Sequence, residues 1–163
     1  MEDDVRRDLL QLPDAQMTQV AQFCNSFPDI EVTYQVEDAD NIKTNDIVEM
    51  KVTLEREVDE DDDISQVGKV VALHYPNPKR EGWWLVVGDV KANSLLSIKR
   101  ISLRQKAVVT LEFPAPSEVG THGYTLYFMC DSYLHVDQEY KFEVEVKEHG
   151  SSSESDSDSS DDE

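Results

Sequence analysis

The sequence predicts a mainly β fold, a seven-stranded β-sandwich preceded by two short α-helices. From residue 30 onward, apolar residues alternate with polar ones in short runs, which is typical of strands that bury one face. Seven such runs follow one another at regular spacing, with Pro, Gly and Asn between them, as in sandwiches. One run, residues 82–89, contains both tryptophans of the chain, side by side between glycines.

Two short helices are predicted before the sandwich. In the first, residues 2–12, apolar residues recur at helical spacing, and Pro13 ends the helix. The second has one apolar face, and it ends before Pro28. Helices this short bury little by themselves, so we expect them to dock on something. Because the chain opens in the middle of what reads as a helical region, we expect it to be a segment of a longer protein. The apolar face of the second helix comprises Met17, Val20, Ala21, Cys24 and Phe27.

The predicted strands follow in order, each bounded by turn residues. An additional short edge strand is expected over residues 70–73, because two prolines follow it and proline cannot join a central ladder. Tyr124 opens the sixth strand, where a tyrosine corner would bond its hydroxyl back to the preceding loop. The seven predicted strands span residues 30–36, 48–54, 82–89, 95–103, 107–113, 124–132 and 140–147.

The adjacent tryptophans Trp83 and Trp84 organise the predicted sandwich. Successive side chains of a strand point to opposite faces, so these two cannot enter the same core layer. One should fill the centre of an immunoglobulin-like sandwich, as a strand tryptophan does in that fold. The other should lie under a loop, a neighbouring domain or a partner.

The chain is strongly acidic, with a net charge of -20 over 163 residues. Such a surface disfavours nucleic-acid binding, because phosphates are neutralised by Lys and Arg, and it favours basic partners. Cys24 and Cys130 lie in different contexts, so we interpret both as free thiols of a reducing compartment. The sequence shows no signal peptide and no apolar run of membrane-spanning length, so no membrane association is expected.

No pattern in the sequence indicates catalysis, a metal or a cofactor. The histidines are scattered and lack the spacing of metal ligands or of a nucleophile site. The acidic run 59–63 lacks the spaced ligands and shaping glycine of a calcium loop, so we interpret it as solvated. The four histidines are His74, His122, His135 and His149.

Residues 79–106 form a basic zone within this acidic protein, since Glu81 and Asp89 are their only acids. With a tryptophan beside it, the zone has the composition of a binding hot spot for an acidic neighbour or for RNA phosphates. The alternative is a strand face neutralised by the protein's own acidic loops. The basic residues are Lys79, Arg80, Lys91, Lys99, Arg100, Arg104 and Lys106. The candidate partner-binding residues are Trp83, Trp84, Lys79, Arg80, Lys99 and Arg100.

The C-terminal tail after Glu148 is rich in serine and acidic residues, and we expect it to be disordered. Five of its serines have an acidic residue three positions later, which suits an acidophilic kinase of the casein kinase type. The alternative is a tail that only increases solubility. The candidate modification sites are Ser151, Ser153, Ser155, Ser159 and Ser160.

Six stretches, which include LLQL (9–12) and IEVTYQV (30–36), resemble the end of the Sec63-type unit of the large DExH-box RNA helicases of the spliceosome. In that family a helical bundle leads to a helix-loop-helix region and then to an immunoglobulin-like sandwich. The resemblance implies that residues 1–28 end the helix-loop-helix region, 29–148 form the sandwich and 149–163 form a disordered acidic tail. The other four stretches are VAQFCN (20–25), GWWLVVGDVKANSLLSIKRISL (82–103), YTLYFMCDSY (124–133) and DQEYKFEVEVKE (137–148).

The resemblance implies a non-catalytic scaffold and protein-interaction module of the second helicase cassette, acting in pre-mRNA splicing in the nucleus. The implied partners are the rest of the cassette in cis and other spliceosomal proteins in trans. Direct RNA contact is not expected, because the part of the unit that lies along RNA is mostly upstream helices. The motor motifs GxxxxGK[ST] and DExH are absent from this sequence.

Two other hypotheses remain. A free-standing histone-chaperone-like sandwich would also suit an acidic tail, although such a domain has no need of the N-terminal helix pair. The translocation-channel member of the same family would predict a transmembrane region upstream.

Overall fold

A computed structural model, which describes residues 3–58, 64–72 and 74–149, contains the predicted β-sandwich and helix pair. Helix α1 spans Asp3–Leu10 and helix α2 spans Asp14–Ser26, with Pro13 at the N-cap of α2. The strands are β1 Ile30–Val36, β2 Ile47–Arg56, β3 Trp83–Asp89, β4 Ser94–Ile101, β5 Lys106–Pro114, β6 Gly120–Cys130 and β7 Gln138–Val146.

The strands form two antiparallel sheets. One contains three strands in the order β1-β2-β5, and the other contains four in the order β4-β3-β6-β7. The chain therefore crosses from one sheet to the other after β2, after β4 and after β5. Immunoglobulin-like sandwiches also connect their two sheets by such crossings. The fold class predicted from the sequence is confirmed.

The core lies between the two sheets and follows the predicted alternation. Every second residue of β2 and β3 is buried, while the intervening residues of β2 stay largely exposed. Trp83 is only 1% exposed and stacks on Phe128, with ring centroids 4.5 Å apart. Trp84 is half-buried on the other side of the sheet. The side chains of the two tryptophans thus point to opposite sides of the sheet, as the alternation predicts.

The tyrosine corner predicted at Tyr124 is wrong. Tyr124 belongs to the inward row of β6 with Leu126 and Phe128, so its ring packs in the core against Phe113 and Phe142. Its hydroxyl makes no hydrogen bond back to the preceding loop within the part of the chain that is described. Burial, together with the charge of Asp89, raises the pKa of this phenol.

The additional edge strand predicted over 70–73 is also wrong. Residues 70–72 form no strand, and Leu73 lies outside the described residues. The only β-pairing of this segment within the described chain is an isolated bridge between Lys69 and Arg80. The Val70 N–H donates to the Lys79 carbonyl, 3.0 Å away. Prolines at 76 and 78 lack the N–H groups that would extend this pairing into a ladder.

The helix pair contacts the sandwich mainly through the end of α2. Phe27 and Phe23 pack against Tyr133, with ring centroids 5.4 and 6.5 Å from it. No residue of α2 is buried, and Leu9 and Leu10 of the first helical segment are exposed. The expected docking is therefore confined to one end of α2. Neither helix of the described chain has the length and apolar character needed to span a bilayer.

Candidate protein-interaction surface

A buried ion pair supports the start of the tryptophan strand. Arg56 ends β2, Glu81 lies two residues before Trp83, and their side chains are only 5% and 1% exposed. The Arg56 guanidinium pairs with the Glu81 carboxylate, and its Nε also donates to the Arg104 carbonyl at 2.9 Å. Glu81 Oε2 accepts a hydrogen bond from the Trp83 indole at 3.1 Å. Glu81, one of the two acids of the basic zone, is therefore internal and does not neutralise the surface.

Asp131, just after β6, forms ion pairs with two of the candidate basic residues. Lys79 Nζ and Arg100 Nη2 each lie 3.4 Å from one of its carboxylate oxygens. The Gly82 N–H donates to Asp131 Oδ1 at 2.9 Å, and the carboxylate lies so close that a side chain at position 82 would displace it. Burial alone would raise the pKa of Asp131, but hydrogen bonds from Ser132 and Gly82 and the charge of Lys79 outweigh it and lower that pKa. Asp131 is thus a fixed anion shared by two cations.

Arg100 covers Trp84 on the outer side of the four-stranded sheet. The two residues are directly opposite in the β3–β4 register, and the guanidinium carbon lies 5.4 Å from the centre of the tryptophan ring. This is a cation–π arrangement. The Arg100 side chain remains 64% exposed. A partner can therefore reach both the charge and the aromatic ring beneath it.

The other candidate residues make separate contacts. Lys99 Nζ donates to the Thr110 carbonyl at 2.7 Å and so ties β4 to β5. Arg80 donates to the Val67 carbonyl at 3.4 Å. Trp83 lies in the core, where no partner can reach it, so the prediction that it binds a partner is wrong. The structure thus brings Lys79 and Arg100 together at Asp131, with Trp84 beneath Arg100.

The sequence interpretation missed the apolar residues that share this side of the sheet. Trp84 lies opposite Met129 as well as Arg100, and Val86 lies opposite both Ile98 and Tyr127. The signal was present in residues 124–132, which are apolar on both faces. We name this surface the β4–β3–β6 face, defined by Trp84, Val86, Ile98, Arg100, Tyr127 and Met129.

Two further features of the described residues concern metal ligands and thiols. They contain no group of three or more His, Cys, Asp or Glu side chains placed to hold a metal ion. Cys24 and Cys130 are unpaired. Burial raises the pKa of the Cys130 thiol, which keeps it protonated and a poor nucleophile at neutral pH.

Together, the fold and this surface define an immunoglobulin-like β-sandwich that carries an N-terminal helix pair and an exposed aromatic and cationic face. The chain belongs to the Sec63 Brl domain family, whose model matches residues 7–143. The matching family is thus the Sec63 unit, which is a different part of a helicase from its motor domain.

The chain is similar to one part of several large helicases. It is 52% identical over 148 residues to the U5 small nuclear ribonucleoprotein 200 kDa helicase of Homo sapiens, covering 91% of this chain and 7% of that protein. The Drosophila melanogaster protein of the same name is 54% identical over 146 residues, 90% of this chain and 6% of that protein. The DExH-box ATP-dependent RNA helicase DExH12 of Arabidopsis thaliana is 51% identical over 151 residues, 93% of this chain.

These comparisons confirm the resemblance to the Sec63-type unit of the U5 particle helicase. The chain spans only 6–7% of the length of these relatives.

Proposed function

We propose that the chain is a non-catalytic scaffold and protein-interaction module of a spliceosomal RNA helicase. In this role it supports the second helicase cassette during pre-mRNA splicing in the nucleus. Its partners are the rest of the cassette in cis and other spliceosomal proteins in trans, without direct RNA contact. The names of the related helicases and the match to the Sec63 Brl domain support this assignment.

The observation that carries the proposal is the Trp84–Arg100 pair on the outer side of the four-stranded sheet. Tryptophan and arginine are the residues most often responsible for binding energy at protein interfaces. Asp131 and the β3–β4 register hold both side chains in place before any partner arrives. A pre-organised pair loses less side-chain entropy on binding than two mobile side chains would.

The division of the chain is part of the same proposal. Residues 1–28 would end a helix-loop-helix region, 29–148 would form the interaction module and 149–163 would form an acidic tail. The five candidate serines, from Ser151 to Ser160, lie outside the described residues, and their phosphorylation stays a prediction from the sequence.

The proposal predicts that Arg100→Glu abolishes recovery of spliceosomal proteins when the tagged chain is incubated with nuclear extract. The substitution places a second carboxylate beside Asp131 and removes the cation over Trp84, so we expect at least a tenfold loss, as for a hot-spot residue worth about 2 kcal/mol. The recovered proteins are quantified by mass spectrometry. Lys51→Glu is the matched control, because it reverses an exposed charge on the β1-β2-β5 sheet.

Two results would contradict the proposal. If spliceosomal proteins are equally recovered with wild type and Arg100→Glu, this face serves internal packing and is not a docking site in trans. If histones dominate the recovered proteins, the chain is a histone-chaperone-like sandwich, an alternative that its net charge of -20 favours.

A further inference from the structure

We propose that the β4–β3–β6 face binds a protein segment that is apolar along its length and places one carboxylate at Arg100. This inference rests on the proposed function and deepens it by naming the surface and the chemistry of the partner. The binding site is then the outer surface of the four-stranded sheet, to which the basic zone contributes Arg100.

The β4–β3–β6 face exposes apolar side chains where a solvated sheet would carry polar ones. Ile98 is 50% exposed, and Leu95, near the start of the same strand, is also exposed. Between β3 and β4 the surface forms a shallow concavity, lined by Val86, Gly88, Leu95 and Tyr127 among others. Val86 is only 9% exposed, so Ile98 is the most exposed apolar residue of the β4–β3–β6 face. An exposed apolar surface with a concave floor is typical of an interaction site.

The outer side of the other sheet provides a direct comparison. There the outward residues of β1, β2 and β5 are mainly polar or charged, and the exposed apolar ones are Val108, in the middle of β5 and 52% exposed, and Ile47, at the start of β2 and 62% exposed. The two outer faces belong to one small domain, so exposure to solvent alone does not explain why one is mainly polar and the other mainly apolar. The polar set is Glu31, Thr33, Gln35, Glu49, Lys51, Thr53, Glu55, Lys106, Thr110 and Glu112.

The composition of the β4–β3–β6 face is that of a protein interface. Trp, Tyr, Met and Arg are enriched at the centres of such interfaces, and this face presents one of each. The register makes Trp84 the direct neighbour of Arg100 on one side and of Met129 on the other, so these side chains form one continuous surface.

The charges around this surface define the partner. Among the described residues, Asp131 is the carboxylate that pairs with both Lys79 and Arg100, so two positive charges face one negative charge at this end of the face. A carboxylate on the partner would complete the pairing with the exposed Arg100. The apolar residues beyond Arg100 favour a protein chain over RNA, because RNA binding draws its affinity from several phosphate contacts to Lys and Arg.

The inference is tested by photo-crosslinking in nuclear extract. A photoreactive phenylalanine derivative replaces Ile98 in one sample and Val108 in the other, two β-branched residues of nearly equal exposure on opposite sheets. We expect crosslinks from position 98 to spliceosomal segments with several apolar residues and an Asp or Glu, at least tenfold more abundant than crosslinks from position 108. Mass spectrometry of the crosslinked peptides identifies the segments.

A second pair of variants separates this inference from the proposed function. Ile98→Asp is expected to reduce recovery of spliceosomal proteins at least tenfold, and Val108→Asp to leave it unchanged, with unaltered circular dichroism in both. If Arg100→Glu prevents recovery and Ile98→Asp does not, the apolar face is refuted while the proposed function stands. If wild type recovers no spliceosomal protein, the proposed function fails and the inference fails with it. Crosslinks from position 98 mainly to RNA or to basic segments would also overturn it.

Discussion

Replacing Trp83 with alanine is expected to lower the free energy of unfolding by about 3–5 kcal/mol, the range for removing a large aromatic side chain from a core. Trp83 is one of the largest fully buried side chains, and it stacks almost parallel on Phe128. Its removal leaves a cavity between the sheets and takes away the indole donor of Glu81. The loss thus combines apolar burial, ring stacking and a buried hydrogen bond.

Trp84→Ala is the matched control for this prediction. Trp84 is the next residue, has the same side chain and lies on the outer side of the same strand. Its loss removes the cation–π contact with Arg100, so we expect a cost of about 1 kcal/mol. Urea unfolding of both variants, followed by far-ultraviolet circular dichroism, measures the two costs. Equal costs, or a larger one for Trp84→Ala, would show that Trp83 is not the central core residue.

Replacing Glu81 with alanine is expected to have an effect of similar size, a loss of about 3–5 kcal/mol, because it removes one partner of a buried ion pair. The Arg56 guanidinium would stay buried without its counter-ion, and the Trp83 indole would lose its acceptor. Salt screens buried pairs much less than exposed ones. The loss should therefore be nearly the same in low and high salt.

The measurement is again urea unfolding, at two salt concentrations. Glu143→Ala, which removes an exposed carboxylate from β7, should change stability by no more than about 0.5 kcal/mol. The double variant Arg56→Met with Glu81→Leu should recover much of the loss, because apolar residues of similar volume avoid the uncompensated charge. A loss that disappears in high salt would show that the pair is solvated.

Most of the fold could be predicted because its signals are local. The alternation of apolar and polar residues identifies each strand, and the divergence of Trp83 and Trp84 follows from the pleat alone. Two local patterns were misinterpreted. Tyr124 has the sequence position of a tyrosine corner, but the inward row of β6 places its ring in the core. Residues 70–72 have the composition of a strand, but the chain provides no ladder beside them.

The site was less predictable because its contacts join distant positions. Arg56 and Glu81 are 25 residues apart, and neither residue type indicates burial. Asp131 organises Lys79 and Arg100, yet it lies outside the basic zone. Lys99 and Arg100 are neighbours in sequence, but the pleat sends one toward β5 and the other over Trp84. A cluster of charges in sequence is therefore not a cluster in space.

The central claim is that this chain is a protein-interaction module that binds through its four-stranded sheet. Its most direct test is hydrogen–deuterium exchange of the chain alone and with its recovered spliceosomal partner. We expect exchange to slow in β4 and in the turn between β3 and β4, where the edge of the sheet is exposed, and to stay unchanged in β1, β2 and β5. Slowed exchange confined to the three-stranded sheet, or to α1 and α2, would contradict the claim.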